Sequence, residues 1–223
     1  MGDENLNSSK KCDTNKCNIL IIGAGMAGLS AANYLLKNGM QDFVILEARK
    51  RIGGRIISIP MKNQNVELGA NWIHGVLGWL SGKEADYMET LSNEEISTTC
   101  TKILRKFLND PFVPEPQKCV CTSWKKQPFT RGSYTAIGVG ASQSDVESLA
   151  QPLFRNVHDK KPVLLFAGEH THSNFYSTAH GAYLSGQAAA RRLLTSDEPE
   201  ENFIECPASS DLSSWIQGIQ LEG

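Results

Sequence analysis

The stretch Asn18-Ile-Leu-Ile-Ile-Gly-Ala-Gly-Met-Ala-Gly28 decides the fold of this chain. Its apolar run ends at a glycine turn, which predicts a short strand buried on both faces of a parallel sheet. Met26 to Asn38 repeats apolar side chains at helical spacing and is followed by Gly39, which suits a C-cap. Asp42 to Leu46 reads as a second buried strand. This order predicts a βαβ unit and an α/β, Rossmann-like fold.

The glycines match the G-x-G-x-x-G pattern of dinucleotide-binding loops, directly after a predicted strand and at the start of a helix. Gly23 would permit the tight turn, and Gly25 would let the backbone approach a pyrophosphate beside Ala24. Gly28 would allow close packing of helix and strand. Glu47 follows Gly28 by 19 positions, near the distance expected of an acid that binds ribose hydroxyls. The segment therefore predicts an ADP-binding site.

The next segment, Glu47-Ala-Arg-Lys-Arg-Ile-Gly-Gly-Arg55, adds a second glycine turn between arginines. Arg49, Arg51 and Arg55 could make charge-assisted contacts with phosphates. Gly53 and Gly54 could allow the backbone close to a cofactor. This addition favours FAD over NAD, and a basic surface loop is the alternative interpretation.

Further elements are predicted along the rest of the chain. Two runs, Ile56 to Pro60 and Asn65 to Leu68, suggest a hairpin. Ser92 to Glu95 fits a capping box. The helix that follows carries Ile96, Thr99, Cys100, Ile103, Leu104 and Phe107 on one face. Strands are expected at Lys118 to Trp124 and Val163 to Ala167, and an alanine-rich helix at Ala182 to Leu194.

Composition limits the classes of ligand and location. The chain has 223 residues and a formal net charge of -2, so no electrostatic attraction to nucleic acid or to an anionic membrane is expected. Its six cysteines lack C-x-x-C spacing, which indicates reduced thiols in an intracellular compartment. No apolar run is long enough to cross a bilayer. We expect a cytoplasmic protein; a peroxisomal location stays open, although the final Leu-Glu-Gly is not a Ser-Lys-Leu type ending.

Several later segments carry a resemblance to a known family. They are Val66 to Gly75, reading Val-Glu-Leu-Gly-Ala-Asn-Trp-Ile-His-Gly, then Trp124 with Pro128 to Tyr134, Phe166 to His172, and Tyr176 to Ala182. Together with Glu47 to Arg55, these segments resemble the FAD-dependent amine oxidases. They are most similar to the polyamine oxidase branch, which includes spermine oxidase and the N1-acetylpolyamine oxidases.

The resemblance implies a GR2-type flavoprotein that oxidises a polyamine with FAD and molecular oxygen. The products would be an aldehyde, a shorter amine and hydrogen peroxide. The family's motifs assign cofactor binding to Gly23, Ala24, Gly25, Gly28, Glu47, Ala48, Arg49, Gly54, Arg55, Gly69, Ala70, Trp72, Trp124, Glu169, Thr178 and Ala179. They assign the catalytic site to His74, Tyr134 and Tyr176. Thr178 stands where monoamine oxidases place a second tyrosine, which favours a long polyamine.

His170 and His172 alternate beside Glu169 and could form a metal pair. We expect no metal there, because no third and fourth ligand follow at useful spacing and the family motif accounts for the segment.

The two matching stretches meet abruptly near Gly78, where the family carries a long central section. We therefore expect a truncated form whose substrate domain is largely absent, and we assign no catalytic lysine. The predicted organisation is a disordered arm (1–17), two parts of an FAD-binding domain (18–78 and 118–194), a remnant helix and connector (79–117) and a polar tail (195–223). The alternative to a polyamine oxidase is a catalytically inactive flavin-binding or interaction protein, which could pair with the full-length enzyme.

Overall fold

The computed structural model describes residues 16–61, 64–70 and 80–195. The predictions for Trp72 and His74, for the junction near Gly78, for nearly all of the arm and for the tail beyond residue 195 lie outside the described residues.

The described elements follow one another in a simple order. They are β1 (Ile19–Ile22), α1 (Met26–Lys37), β2 (Phe43–Leu46), β3 (Ser58–Met61), β4 (Gln64–Glu67), α2 (Gly82–Met88), α3 (Asn93–Leu108), α4 (Gln143–Leu149), a 3-10 turn (Glu169–Thr171) and α5 (Ala179–Leu194). Strands β1 and β2 pair in parallel, with Ile19 opposite Phe43 and Ile22 opposite Leu46. The predicted βαβ unit is confirmed.

The end of α1 shows why the chain turns back into β2. Asn38 is its C-cap, and its backbone N–H reaches the carbonyl oxygens of the last turn. Gly39 follows with φ 81°, a left-handed conformation that glycine adopts without steric cost. The predicted stop at this position is therefore observed.

The two parallel strands have one covered face and one open face. Ile19, Ile21 and Phe43 pack against a core that contains Leu35, which is 1% exposed. On the other face Leu20 is 51% exposed and Ile22 is 81% exposed. The prediction that both faces are buried is wrong for the described part of the chain, because the helices that pack on this sheet cover the same face.

Helices α1 and α5 come close together although they lie at opposite ends of the chain. Ser30 Oγ donates to the carbonyl oxygen of Tyr183 at 2.8 Å. A Cβ added to Gly186 would lie 2.1 Å from the carbonyl oxygen of Ala27, so only glycine permits this approach. Ala190 is buried in the same core. The pair of helices thus joins an early and a late segment of the described residues into one packed unit.

The hairpin and α3 are also as predicted, with small shifts. Strands β3 and β4 pair antiparallel, with Ile59 opposite Val66. The capping box at the start of α3 is complete: Glu95 N donates to Ser92 Oγ at 3.2 Å, and Ser92 N donates to Glu95 Oε2 at 2.8 Å. Ile96 is buried, whereas Phe107 on the same apolar face is 86% exposed.

Two predicted strands are wrong. Lys118 to Trp124 forms no strand, and Val163 to Ala167 makes one isolated bridge, between Leu164 and Leu153. Alternation of side chains predicts an extended segment, but a strand also needs a neighbour for its backbone groups. Within the described residues the parallel sheet has two strands, β1 and β2. No helix in this part of the chain is long and apolar enough to span a membrane.

Candidate cofactor-binding site

The first glycine loop leaves β1 and opens α1. Gly23 N donates to the carbonyl oxygen of Leu46 at 2.7 Å, and Gly23 has φ 104°, which strongly favours glycine. A Cβ on Gly28 would lie 2.0 Å from the carbonyl oxygen of Gly23. Glycine is therefore needed at position 28 because the backbone of the turn lies directly against it. This contact holds the start of α1 against the end of β1.

The second glycine loop packs directly on the first. Gly53 N donates to the carbonyl oxygen of Ala24 at 2.8 Å, and Gly25 and Gly53 form a parallel bridge. A Cβ on Gly54 would lie 3.3 Å from Gly25 Cα. The sequence predicted both loops separately, and the structure shows that their backbones meet. Together the two loops form one surface of backbone atoms that carries no side chain at Gly23, Gly25, Gly53 and Gly54. We call this surface the glycine cradle.

Glu47 follows β2 and ties the two loops to the sheet. Its Oε2 accepts from Ala24 N at 2.8 Å, and its Oε1 accepts from Arg49 N at 2.8 Å. The N–H groups of Arg49 and Ala24 lower the pKa of Glu47 and outweigh the opposing effect of burial. A charged carboxylate therefore stands at the carboxyl end of β2, beside the glycine cradle.

Two groups at this cradle are suited to an anionic or oxygen-rich ligand. Helix α1 begins at its N-cap Gly25 without a side-chain cap, so its first N–H groups face outward with the positive end of the helix dipole. Arg49 Nη2 is buried without a hydrogen-bond partner among the described residues. The Arg49 guanidinium lies 5.0 Å from the centre of the Phe129 ring. These residues fit the pyrophosphate and ribose of a dinucleotide.

A second centre forms around Glu169, which is 6% exposed. Its Oε1 accepts from Arg55 Nη1 at 2.9 Å and from Thr135 Oγ1 at 3.1 Å. Its Oε2 accepts from Ser177 N at 2.7 Å. Burial alone would raise the pKa of Glu169, but the hydrogen bonds and the charge of Arg55 outweigh it and lower the pKa. Glu169 is thus a charged carboxylate that holds three separate segments.

Arg55 and Ser177 extend this centre in two directions. Arg55 Nη1 also donates to the carbonyl oxygen of Ser133 at 2.7 Å. Ser177 has φ 65°, and its Oγ donates to the carbonyl oxygen of Thr135. The chain then enters α5, where Thr178 Oγ1 caps the helix by accepting from Gly181 N at 3.0 Å. The start of α5, including Ala179, is therefore positioned by the Glu169 centre.

Both centres open on one groove with a volume of about 3870 Å³. Its lining includes most of the predicted site, namely Gly23, Gly25, Gly28, Glu47, Ala48, Arg49, Gly54, Arg55, Gly69, Ala70, Trp124, Tyr134, Glu169, Thr178 and Ala179. Ala24 is 3% exposed and lies behind the loop surface. Tyr176 is half-buried and is not part of this lining within the described residues. Of the two tyrosines, Tyr134 alone is part of the groove lining in the described part of the chain.

Sequence reasoning missed the residues that hold Glu169 and Arg55. Ser133 and Thr135 flank the predicted Tyr134, and Ser177 precedes the predicted Thr178, so each lies next to a residue that was named. Their contacts depend on a backbone carbonyl, a hydroxyl and a backbone N–H. Residue type gives no signal for the two backbone contacts, because any residue carries these groups.

The two histidines beside Glu169, His170 and His172, are half-buried in the fold. Burial lowers the pKa of both His170 and His172. His172 Nδ1 accepts from Phe175 N at 3.2 Å, and the Phe175 ring lies between His172 and His180. Within the described residues no group of three or more histidine, cysteine or acidic side chains could hold a metal ion.

Comparison with protein families identifies the family of this chain. The family described as flavin containing amine oxidoreductase matches residues 26–78 and 74–194, which cover most of the chain. This chain belongs to that family. Its cofactor is FAD, and the two glycine loops with Glu47 and Arg49 are the residues that could hold the ADP half of it. As a flavin amine oxidoreductase, the chain is an oxidoreductase by family, and its resemblance to the polyamine oxidase branch is confirmed.

Three curated relatives show the range of the similarity. The peroxisomal N(1)-acetyl-spermine/spermidine oxidase of Bos taurus is 42% identical over 59% of this chain and 26% of the relative. The protein of the same name from Homo sapiens is 42% identical over 57% of this chain and 25% of the relative. A possible lysine-specific histone demethylase 1 of Drosophila melanogaster is 37% identical over 53% of this chain and 14% of the relative. The chain spans about a quarter of the length of the two oxidases that it matches.

Proposed function

We propose that this chain uses FAD to oxidise a polyamine, such as spermine, spermidine or an N1-acetyl form of either. The main observation in support is that the glycine cradle and the Glu169 centre line the same groove. Its lining includes both glycine loops, Glu47 and the Arg55–Glu169 pair, and also Trp124 and Tyr134. The 42% identity to two N(1)-acetyl-spermine/spermidine oxidases supports a polyamine as the amine.

Each group in the groove has a defined task under this proposal. The uncapped start of α1 and the glycine cradle bind phosphate, Glu47 accepts from ribose hydroxyls, and Arg49 Nη2 donates to an oxygen of the cofactor. Bound FAD supplies the two-electron oxidation of the amine carbon. The products are an aldehyde, a shorter amine and, with oxygen, hydrogen peroxide.

The aromatic side chains orient the amine. Trp124 is half-buried and Tyr134 is 53% exposed, so both can offer ring surface to an aliphatic chain in the groove. Aromatic faces also attract ammonium groups at the far end of a polyamine. Tyr176 and His74 stay predictions as catalytic residues, the first because it lies outside the groove lining and the second because it lies outside the described residues.

A second candidate function is a flavin-binding protein without oxidase activity. The observation in its favour is that Tyr176, a predicted catalytic residue, is not part of the groove lining in the described part of the chain. Such a protein could act by pairing with a full-length enzyme. Both candidates require FAD in the glycine cradle, and they differ in what happens when an amine is added.

An anaerobic reduction experiment separates the two candidates. The purified chain is loaded with FAD, freed of oxygen and mixed with N1-acetylspermine or spermine, and benzylamine serves as the control amine. Loss of the oxidised flavin absorbance with the polyamines alone supports the oxidase. An unchanged spectrum with bound flavin contradicts it and leaves the silent flavin-binding protein.

The cellular location is part of the same proposal. The two related oxidases are named peroxisomal, whereas we expect the cytoplasm from the sequence of this chain. Fractionation of cells that express the chain without a tag distinguishes the two compartments.

A further inference from the structure

Three cysteines line the groove away from the glycine cradle: Cys100 on α3, and Cys119 and Cys121 on the segment before Trp124. All three are free thiols. Cys119 and Cys121 stand two positions apart in a segment that belongs to no helix or strand. Their Sγ atoms are 3.6 Å apart.

We propose that Cys119 and Cys121 form a peroxide-responsive dithiol that closes to an intramolecular disulfide. A disulfide bond is about 2.05 Å long, so the two sulfurs need to approach by roughly 1.5 Å. Cys119 and Cys121 are both partly exposed at the groove, so a small oxidant can reach them. The site is a modification site, and its co-reactant is a hydroperoxide.

The chemistry balances in two steps. The Cys119 sulfur attacks one oxygen of hydrogen peroxide, the O–O bond breaks, and the departing hydroxide takes up the thiol proton to leave water and a Cys119 sulfenic acid. The Cys121 sulfur then attacks the Cys119 sulfur, the S–O bond breaks, and a second water leaves with the Cys121 proton. Two thiols lose two electrons and two protons, and one peroxide becomes two waters.

The surroundings of the two thiols indicate which of them reacts with the peroxide first. Burial raises the pKa of Cys121 to about 11, and the hydrogen bond with Cys119 and the nearby Cys119 and Cys100 act in the same direction. Cys121 therefore keeps its proton at neutral pH and is a weak first nucleophile, since the thiolate is the reactive form. Cys119 is the thiol that attacks the peroxide first, and Cys121 resolves the sulfenic acid because its sulfur lies 3.6 Å from that of Cys119.

Peptide mapping provides a direct test, because cleavage after Lys118 and Lys125 releases both cysteines in one peptide, residues 119–125. The intact chain is treated with increasing hydrogen peroxide, blocked with a thiol reagent under denaturing conditions, and digested. We expect peptide 119–125 to lose two hydrogen atoms and both reactive thiols before Cys17 is oxidised, and dithiothreitol to restore them. Cys17 is the matched control, since it is also a partly exposed free thiol.

Two variants sharpen the test. Cys121→Ser removes the resolving thiol, so Cys119 is expected to stop at the sulfenic acid, which a dimedone probe traps. Cys100→Ser is expected to leave disulfide formation in peptide 119–125 unchanged. The proposal is overturned if both thiols of this peptide survive while Cys17 reacts, if each gains oxygen separately, or if the disulfide joins the peptide to Cys100. Added peroxide makes the result independent of the chain's own oxidase activity.

Discussion

Arg55 Nη1 lies 2.9 Å from Glu169 Oε1, although 114 positions separate the two residues in the chain. The Glu169 side chain is 7% exposed and the Arg55 side chain is 35% exposed, so the carboxylate is shielded from water whereas the guanidinium is partly open to it. Glu169 also accepts from Thr135 and from Ser177 N. The pair therefore joins the loop after β2 to the segment that leads into α5, and both residues line the groove.

Glu169→Gln is expected to destabilise the fold by about 1–3 kcal/mol, because the amide loses the charge and half of the acceptor capacity that three donors use. The measurement is the free energy of unfolding from a urea titration. Glu115→Gln is the matched control: Glu115 pairs with Arg105 at 3.5 Å and its side chain is 52% exposed, so it should cost less than about 1 kcal/mol. Equal losses in the two variants would contradict the role given to Glu169.

Glu47→Gln is expected to weaken FAD binding by roughly tenfold or more, because the amide NH₂ faces a backbone donor and one contact to Ala24 N or Arg49 N is lost. Quenching of flavin fluorescence during titration gives the dissociation constant. Glu94→Gln, at an exposed position in the first turn of α3, is the control and should bind FAD as the unaltered chain does. An unchanged constant in Glu47→Gln would exclude Glu47 from the cofactor site.

Gly186→Ala tests the contact between α1 and α5. The added Cβ would lie 2.1 Å from the carbonyl oxygen of Ala27, so the two helices must move apart, at a cost of about 1–3 kcal/mol. The midpoint of thermal unfolding should fall. Gly138→Ala is the matched control, since a Cβ there meets nothing within 4 Å and its φ lies outside the left-handed region. A stable Gly186→Ala variant would show that the helices pack differently.

Stability should fall as the solution is acidified from pH 7.5 to pH 5.5. Burial lowers the pKa of His172 below its ordinary value of 6.5, and the nearby charge of His180 acts in the same direction. The unfolded chain then binds a proton that the folded chain resists, so stability rises with pH across this window. Protonation of Nδ1 would also remove the acceptor for Phe175 N.

His172→Asn should show a smaller loss over the same range, and the remainder belongs to groups such as His170, whose pKa burial also lowers. His158→Asn, at an exposed position, is the control and should follow the unaltered chain. The urea midpoint at each pH is the quantity to compare. A stability that does not change between the two pH values would contradict this account of the histidines.

The parts of the fold that could be predicted are those that local sequence specifies. The glycine loop between Gly23 and Gly28, the stop at Gly39 and the capping box at Ser92 each depend on a few adjacent residues, and all three are observed. The short helices α2 and α4 were not predicted. Each spans 7 residues, which is too short for a periodic apolar pattern to stand out.

The parts that could not be predicted depend on contacts between distant segments. Val163 to Ala167 has the residues of a strand, but a strand forms only where another backbone lies beside it. The site shows the same limit. Glu169 was named from a motif, whereas its contact with Arg55 is a property of the folded chain. Tyr134 and Tyr176 were named together, and the fold places only Tyr134 in the groove lining.

Titration of the purified chain with FAD tests directly whether the two glycine loops and Glu47 form a cofactor site. We expect saturable binding of one FAD per chain, seen as quenching of flavin fluorescence. Binding should be strongly reduced in Gly28→Ala, whose Cβ would lie 2.0 Å from the carbonyl oxygen of Gly23. A circular dichroism spectrum confirms that each sample is folded. A folded chain that shows no saturable binding of FAD would contradict the account.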